Sequence, residues 1–168
     1  MSRPLICAPI AFALLVLTSI FGAVIADETH NLVGTWRLVE AVSEDLSTGQ
    51  KTNIYKGTPS GFMMYGADGR MMAMNVDSGR KQPAAAAATA SEAEALFRSM
   101  VAYGGTYRVD GNRVIHHVDI SWNEIWTGTD QVRDYKLEGE RLSLATAPSP
   151  DPFTGKMSVR TIVWQRIK

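Results

Sequence analysis

A Gly-x-Trp motif followed by a series of short β-rich segments is the feature that most constrains the fold of this chain. The motif lies in the stretch Leu32-Val33-Gly34-Thr35-Trp36-Arg37-Leu38. Turn-prone pairs separate the later segments, at Asp68-Gly69, Asp110-Gly111 and Glu138-Gly139. Such pairs between β-rich runs are typical of hairpins. Eight or nine strands joined in this way predict an all-β, up-and-down antiparallel barrel, whose closure removes exposed sheet edges.

The N-terminal segment has the pattern of a secretory signal. Residues 1–26 carry one positive charge, Arg3, then an apolar run from Leu5 to Val24, and end in Val24-Ile25-Ala26, with small residues at the positions that a signal peptidase reads. This pattern predicts cleavage after Ala26, export to the periplasm or the medium, and a mature domain at 27–168. The alternative is an uncleaved anchor helix, because the run is almost long enough to span a bilayer. After cleavage we expect no stable membrane insertion.

Composition excludes several classes of function. The mature part fits one domain by length, and it has no cysteine because Cys7 belongs to the signal segment. Thiol redox chemistry is therefore excluded. The chain has 17 basic and 17 acidic residues and no long run of like charge. Nucleic-acid binding needs clustered Lys and Arg, so no nucleic-acid partner is expected.

One segment departs from the strand pattern. The sequence Ser91-Glu92-Ala93-Glu94 has the Ser-x-x-Glu form of a capping box. Apolar residues follow at helical spacing, at Ala93, Leu96, Phe97, Met100 and Val101. The pair Gly104-Gly105 would end the helix. The pattern predicts one amphipathic helix over about 91–102, packed on the barrel.

Hairpin register identifies candidate residues inside the barrel. A two-residue turn at Gly139-Glu140 would place Leu137 opposite Leu142, and these leucines mark the inner face. Strand alternation adds three side chains to that face: Gln131, Arg133 and Tyr135. An inward arginine is costly unless it is paired. Arg133 is therefore expected either in an internal network with a carboxylate, or facing an anionic or carbonyl-bearing ligand.

The same reasoning applies to the adjacent histidines. If Asp110 opposes Arg113, one inner face carries Tyr107, Val109, Val114, His116, Val118 and Ile120. His117 would then point outward, so the two histidines cannot share a metal ion, and no metal site is predicted. A slip of one residue would exchange them. An inward His116 is either a satisfied core residue or an acid/base group.

Several stretches of the mature chain resemble the bacterial and fungal lipocalin-like domain family. They are Leu32–Leu38, Tyr65–Met71, Ala102–Tyr107, His116–Val118 and Trp126–Arg133. The resemblance spans essentially the whole mature chain and implies a ligand-holding barrel. It also implies that Trp36 seals one end by stacking on an arginine near the C-terminus, which matches Arg166. Some distantly related lipocalin-fold proteins act as cyclases.

Three functions remain open at this level. The first is binding of a small, partly apolar molecule with an oxygen or acid group, through Arg133, Gln131, His116, Tyr107, Tyr135 and Trp126. The second is a cyclase or isomerase that uses His116 and Arg133 for acid/base chemistry in the same cavity. The third is a structural envelope domain without a small ligand. The chain has no nucleophile elbow and no Gly-rich phosphate loop, so an enzyme is not favoured and no cofactor is expected.

Overall fold

The computed structural model describes residues 31–151 and 154–168. The segment expected to be a signal, residues 1–26, lies outside the described residues. Within the described part, no helix is long and apolar enough to cross a bilayer.

Ten β-strands and one α-helix form the described part of the chain. The strands are β1 (Gly34–Asp45), β2 (Lys51–Asn53), β3 (Pro59–Tyr65), β4 (Arg70–Asp77), β5 (Met100–Asp110), β6 (Arg113–Ser121), β7 (Asp130–Glu138), β8 (Arg141–Thr146), β9 (Ser149–Pro150) and β10 (Met157–Arg166). The helix is α1 (Ala90–Arg98), and a short 3₁₀ helix covers Glu124–Trp126. The eight long strands, β1, β3 to β8 and β10, match the eight or nine strands that the sequence predicts.

The sheet closes into a barrel of eight antiparallel strands. Strands β3 to β8 pair in chain order, and β1 pairs with both β3 and β10. The short strands β2 and β9 extend β1 and β10 at their edges. This arrangement confirms the predicted up-and-down barrel, since its main strands each neighbour the next one along the chain.

The two ends of the barrel differ in the length of their connections. At one end, called here the closed end, tight turns join β3 to β4, β5 to β6 and β7 to β8. The start of β1 and the finish of β10 also lie there, paired through Trp36 and Arg166. At the other end, called the open end, longer connections carry α1, the 3₁₀ helix, β2 and β9. A ligand-binding site is expected at the open end, since binding residues often lie on long loops and these loops leave room above the barrel interior.

The core fills the barrel towards the closed end. Its fully buried large side chains include Leu32, Trp36, Met63, Tyr65, Val114, Leu142 and Trp164. Inward side chains on β7 are all partly exposed, while their outward neighbours are exposed. Solvent therefore reaches the inner wall along β7 but not the plug of aromatic and aliphatic side chains below it.

Both hairpin registers predicted from the sequence are correct. Leu137 lies opposite Leu142, and Val109 lies opposite Val114. The inward assignment of Ile120 is wrong, because a β-bulge shifts the register between Gly104 and Gly105 and turns Ile120 outward, where it is 67% exposed. An extra residue in one strand reverses every later side chain on it.

The predicted helix is shorter than expected and begins from a different cap. Helix α1 covers Ala90–Arg98, and the capping box is formed by Thr89 and Glu92, not by Ser91 and Glu94. None of its residues is buried. The residues expected to continue it, Met100 to Ala102, instead pair with β4, because a ladder to a neighbouring strand outweighs local helical periodicity.

The close approach of β5 and β6 at the bulge leaves no room for a side chain at Gly105. A Cβ atom there would lie 2.0 Å from the backbone oxygen of His117 and 2.8 Å from the nitrogen of Asp119, so the backbone would have to move. At Gly104 the nearest atom would lie at 3.4 Å, an ordinary contact. We expect Gly105→Ala to lower the free energy of unfolding by about 2 kcal/mol and Gly104→Ala by well under half of that. Denaturant unfolding of both variants checks this, and equal losses would contradict the bulge geometry.

Candidate functional site

The closed end is sealed by a contact between the first and last strands. The guanidinium carbon of Arg166 lies 4.1 Å from the centroid of the Trp36 ring, and the Trp36 Nε1 donates to the Leu32 carbonyl at 2.9 Å. Arg166 also donates to the carbonyl of Val33. Gly34 has a φ of 138° and a Cβ there would meet the Arg166 guanidinium at 2.8 Å, which explains the glycine of the motif. The motif therefore closes the barrel and lies away from the open end.

A chain of hydrogen bonds between three rings crosses the barrel interior. The hydroxyl of Tyr65 lies 2.7 Å from Nε2 of His116, and the hydroxyl of Tyr103 lies 2.9 Å from Nδ1. His116 and Tyr65 are fully buried, whereas Tyr103 keeps partial exposure. Both ring nitrogens of His116 are thus occupied by tyrosines.

Burial holds this histidine neutral. Loss of solvation, together with the nearby positive charge of Arg133, lowers the pKa of His116 to about 3. Burial likewise raises the pKa of Tyr65 and of Tyr103 above their usual range. All three rings are therefore uncharged at neutral pH, and the hydrogen bonds between them join neutral groups.

Hydrogen-bond accounting assigns the direction of this chain. A neutral imidazole has one N–H donor and one acceptor nitrogen. If Nε2 carried the proton, Tyr65 would accept it, and its own hydroxyl hydrogen would be buried with no acceptor among the described residues, at a cost of about 1–3 kcal/mol. We therefore assign Tyr65 as donor to Nε2 and Nδ1–H as donor to Tyr103. The Tyr103 hydroxyl then directs its hydrogen away from His116.

Arg133 faces the interior without a carboxylate. Its Nη1 donates to the Val132 carbonyl at 2.8 Å, and its Nη2 donates to Oε1 of Gln131 at 3.2 Å. Among residues 31–151 and 154–168, no ion pair within 4.0 Å includes Arg133. Burial lowers the pKa of Arg133 from its usual value, while Tyr103 and Tyr65 favour its charge. The sequence left two alternatives for Arg133, an internal carboxylate partner or a ligand. The described residues do not supply the carboxylate.

A second hydrogen-bond chain connects Arg133 to the open end. Gln131 accepts from Arg133 and donates through Nε2 to the Thr129 hydroxyl at 3.0 Å. Thr129 in turn donates to the Trp126 carbonyl at 2.7 Å. The amide of Gln131 is thus occupied on both sides, and it orients the guanidinium. Trp126 lies edge-on to Tyr103, with ring centroids 5.5 Å apart.

A row of polar residues on neighbouring strands crosses the inner wall: Arg133, Thr146, Arg160 and Ser43. Its second cation, Arg160, was not among the residues predicted from the sequence. Arg133 lies opposite Thr146, and Arg160 donates its backbone N–H to the Thr146 hydroxyl at 3.1 Å. Arg160 lies opposite Ser43 on β1. The Nε of Arg160 is buried and has no hydrogen-bond partner in the part of the chain that the structure describes. The signal was present in the sequence, since Arg160 shares strand parity with the inward residues Ile162 and Trp164.

Two of the predicted site residues, Tyr107 and His116, have polar atoms that are already bonded within the barrel. Tyr107 is buried and its hydroxyl donates to the Gly66 carbonyl at 3.0 Å, so its polar atom is already used. His116 offers no free nitrogen. The other predicted residues remain candidates: Arg133, Gln131 and Tyr135 lie on the inner wall, and Trp126 lies at the open end. The structure adds two residues that the sequence did not predict, Tyr103 and Arg160. We call the set Arg133, Gln131, Tyr103 and Arg160 the inner polar site.

Surface grooves lie elsewhere. A groove of about 360 Å³ on the outer wall is lined by Met64, Met72, Gly104 and Ile120 among others, and one of about 510 Å³ lies beside Tyr55 and Pro59. Neither includes a residue of the inner polar site. We place the candidate site on the inner wall nevertheless, because half-buried cations with no ion pair among the described residues need a partner more than an open apolar groove does. Within the described residues, no three side chains of His, Cys, Asp or Glu cluster as metal ligands would.

Comparison with known proteins agrees with this architecture. No protein of curated function matches the chain. The family model described as lipocalin-like domain matches residues 33–167, which covers β1 to β10 and thus the whole barrel. A match of this extent shows family membership and supports a ligand-binding barrel in general terms. The chain belongs to the lipocalin-like domain family.

Proposed function

We propose that this protein is an exported barrel that binds a small, partly apolar molecule through an acid group held by Arg133. The observation that carries the proposal is the inward guanidinium with no carboxylate within 4.0 Å among the described residues. Even a half-buried cation is retained at a cost unless something pairs with it. An anionic ligand that enters from the open end would supply that pairing.

The geometry around Arg133 suits an oxygen-bearing ligand. The guanidinium has five N–H donors, of which two are used by neutral acceptors, so three remain for a carboxylate or similar group. Tyr103 adds a hydroxyl donor in the direction assigned above. The apolar part of the ligand would meet the aromatic side chains at the open end, where Trp126 packs edge-on against Tyr103 and Trp122.

Acid/base catalysis by His116 receives no support from this arrangement. A general base must reach the proton that it removes, and its pKa must lie near the working pH. Both nitrogens of His116 are bonded to tyrosines, and its pKa is lowered to about 3. We therefore propose binding and leave the cyclase and envelope-domain alternatives without a specific observation in their favour.

A pair of fluorescent probes tests the binding proposal. Anilinonaphthalene sulfonate carries one negative charge, and N-phenylnaphthylamine has the same ring system without it. We expect the sulfonate probe to bind the barrel, and Arg133→Gln to weaken it by about tenfold or more, since a hydrogen bond to a charged group contributes about 1.5–3 kcal/mol. The neutral probe should bind both proteins with similar affinity. Fluorescence titration measures all four affinities.

The matched control is Arg113→Gln. Arg113 lies on the outer face of β6, paired with Asp134 at 3.3 Å, so its loss removes one positive charge without touching the inner wall. The sulfonate affinity should stay unchanged in this variant. Equal weakening in the Arg113 and Arg133 variants would mean that net charge drives binding, and the proposal would fail.

Export makes a separate prediction. When the full chain is expressed in a bacterial host, the mature protein should be recovered from the periplasm or the medium and begin at Asp27, because the signal pattern ends at Ala26. N-terminal sequencing or intact-mass measurement of each cell fraction checks this. Recovery of the uncut chain in the membrane fraction would favour the anchor alternative.

A further inference from the structure

We infer that the inner polar site takes a doubly charged oxyanion head group, such as a phosphate monoester, because Arg160 acts there as a second cation beside Arg133. This inference rests on the proposed function and adds the chemical class of the ligand head. A single arginine would suit a monoanion such as a carboxylate. Two arginines with no acid between them among the described residues leave a net positive site that one charge neutralises only in part.

Strand register places the two arginines on one row of the inner wall. Arg133 on β7 lies opposite Thr146 on β8, and the Thr146 hydroxyl accepts from the backbone of Arg160 on β10. Neighbouring strands lie about 4.8 Å apart, so two intervals separate the backbones of Arg133 and Arg160 by about 10 Å. Arginine side chains are long enough for both guanidinium groups to reach one ligand head from this spacing.

The bonding state of both arginines points to a common missing partner. Arg160 has a buried Nε with no hydrogen-bond partner within residues 31–151 and 154–168, and such atoms are rare in folded proteins. Arg133 uses only neutral acceptors, and the positive charge of Arg160 is one of the causes that lower its pKa. Neither arginine forms an ion pair within 4.0 Å among the described residues. A bridging dianion would satisfy both.

The polar neighbours of the row fit the same head group. Ser43 lies opposite Arg160, and the hydroxyl of Tyr103 is a donor by the accounting above. Hydroxyl and guanidinium groups are among the donors that bind phosphate oxygens, and arginine matches the geometry of these oxygens with paired hydrogen bonds. The carboxylates nearest in sequence to the row are Asp134, Glu44 and Asp45, and they are held by Arg113 at 3.3 Å, Lys51 at 3.4 Å and Lys156 at 2.8 Å.

Two ligands with the same tail separate head-group charge from everything else. Octyl sulfate carries one negative charge at all working pH values. Octyl phosphate carries nearly two at pH 8 and about one at pH 5, since the second pKa of a phosphate monoester is about 6. We expect calorimetric titration of the wild-type protein at pH 8 to show octyl phosphate binding about tenfold more tightly, which corresponds to about 1.4 kcal/mol. At pH 5 the preference should vanish.

Variants assign the preference to Arg160. Arg160→Gln should weaken octyl phosphate more than octyl sulfate, so that the two ligands bind equally at pH 8, and Arg160→Lys should keep a reduced preference. Arg133→Gln should weaken both ligands. Equal binding of the two ligands to wild type at pH 8 would overturn this inference while the binding function stood. Failure of both ligands to bind would overturn the inference and the proposed function together, and the wild-type pH comparison does not depend on any variant folding.

Discussion

Trp36→Ala is expected to lower the free energy of unfolding by about 4 kcal/mol, a large part of the 5–15 kcal/mol that folded domains usually have. The substitution removes a fully buried indole and with it the hydrogen bond to the Leu32 carbonyl at 2.9 Å. It also removes the ring over which Arg166 lies at 4.1 Å. Urea unfolding followed by circular dichroism measures the loss.

Two matched variants separate the plug from tryptophan content in general. Trp36→Phe keeps a ring for Arg166 and should lose only about 1–2 kcal/mol. Trp126→Ala removes a partly exposed tryptophan at the open end and should lose clearly less than Trp36→Ala. A loss in Trp36→Ala no larger than that in Trp126→Ala would contradict the assignment of Trp36 as the closing residue.

The contact with Arg166 has its own expected value. A double-mutant cycle with Trp36→Phe and Arg166→Ala should give a coupling energy of at most about 1 kcal/mol, because Phe still offers a ring face and only the difference between the rings is measured. The single variant Arg166→Ala should cost more than the coupling, since Arg166 also donates to the carbonyls of Val33 and Asn31.

Local signals predicted those parts of the fold where neighbouring segments determine each other. The turn pairs at Gly111-Asn112 and Gly139-Glu140 fixed the register of two hairpins, and the register then placed Gln131 and Arg133 on the inner face. In a hairpin the pairing partner is only a few residues away, so sequence and geometry are directly linked. These two residues remain the strongest sequence-derived candidates.

Long-range pairing accounts for the errors. The helix was extended through Met100 to Ala102 because the apolar spacing continued, but those residues pair with β4. That error left Tyr103 unassigned between a predicted helix and a predicted strand, although it contacts His116 at 2.9 Å. The bulge at Gly105 reversed Ile120 for a similar reason, since nothing local in the sequence marks a bulge. Arg160 was missed because its relation to Arg133 depends on the pairing of β10 with β8.

Burial of His116 gives the second large effect, a loss of stability in mild acid. The pKa of this histidine is 6.5 when exposed and is lowered to about 3 in the fold, by burial first and by Arg133 second. Between these values the unfolded chain binds a proton that the folded protein does not, so the free energy of unfolding falls as the pH falls. The slope is about 1.4 kcal/mol per pH unit, and the full loss by pH 3 is about 4 kcal/mol.

Comparison of three proteins isolates this effect. Carboxylates begin to contribute only as the pH approaches their own pKa values near 4, so the slope is read between pH 6.5 and 5. His116→Gln should have a shallower slope than wild type and approach or exceed its stability in acid, after a loss of about 1–3 kcal/mol at pH 8 from disturbed bonds to Tyr65 and Tyr103. His117→Gln, which removes the neighbouring histidine from the outer face, is the control for loss of an imidazole that does not contact Tyr65 or Tyr103.

A spectroscopic measurement gives the same answer without any variant. In the wild-type protein, the ring signals of His116 should show no titration between pH 8 and pH 5, because the ring stays neutral in the fold. Ring shifts should also identify Nδ1 as the protonated nitrogen, in line with donation by Tyr65 to Nε2. Titration of His116 near pH 6.5 would mean that the ring is hydrated. His116 would then again be a candidate acid/base group in the barrel interior.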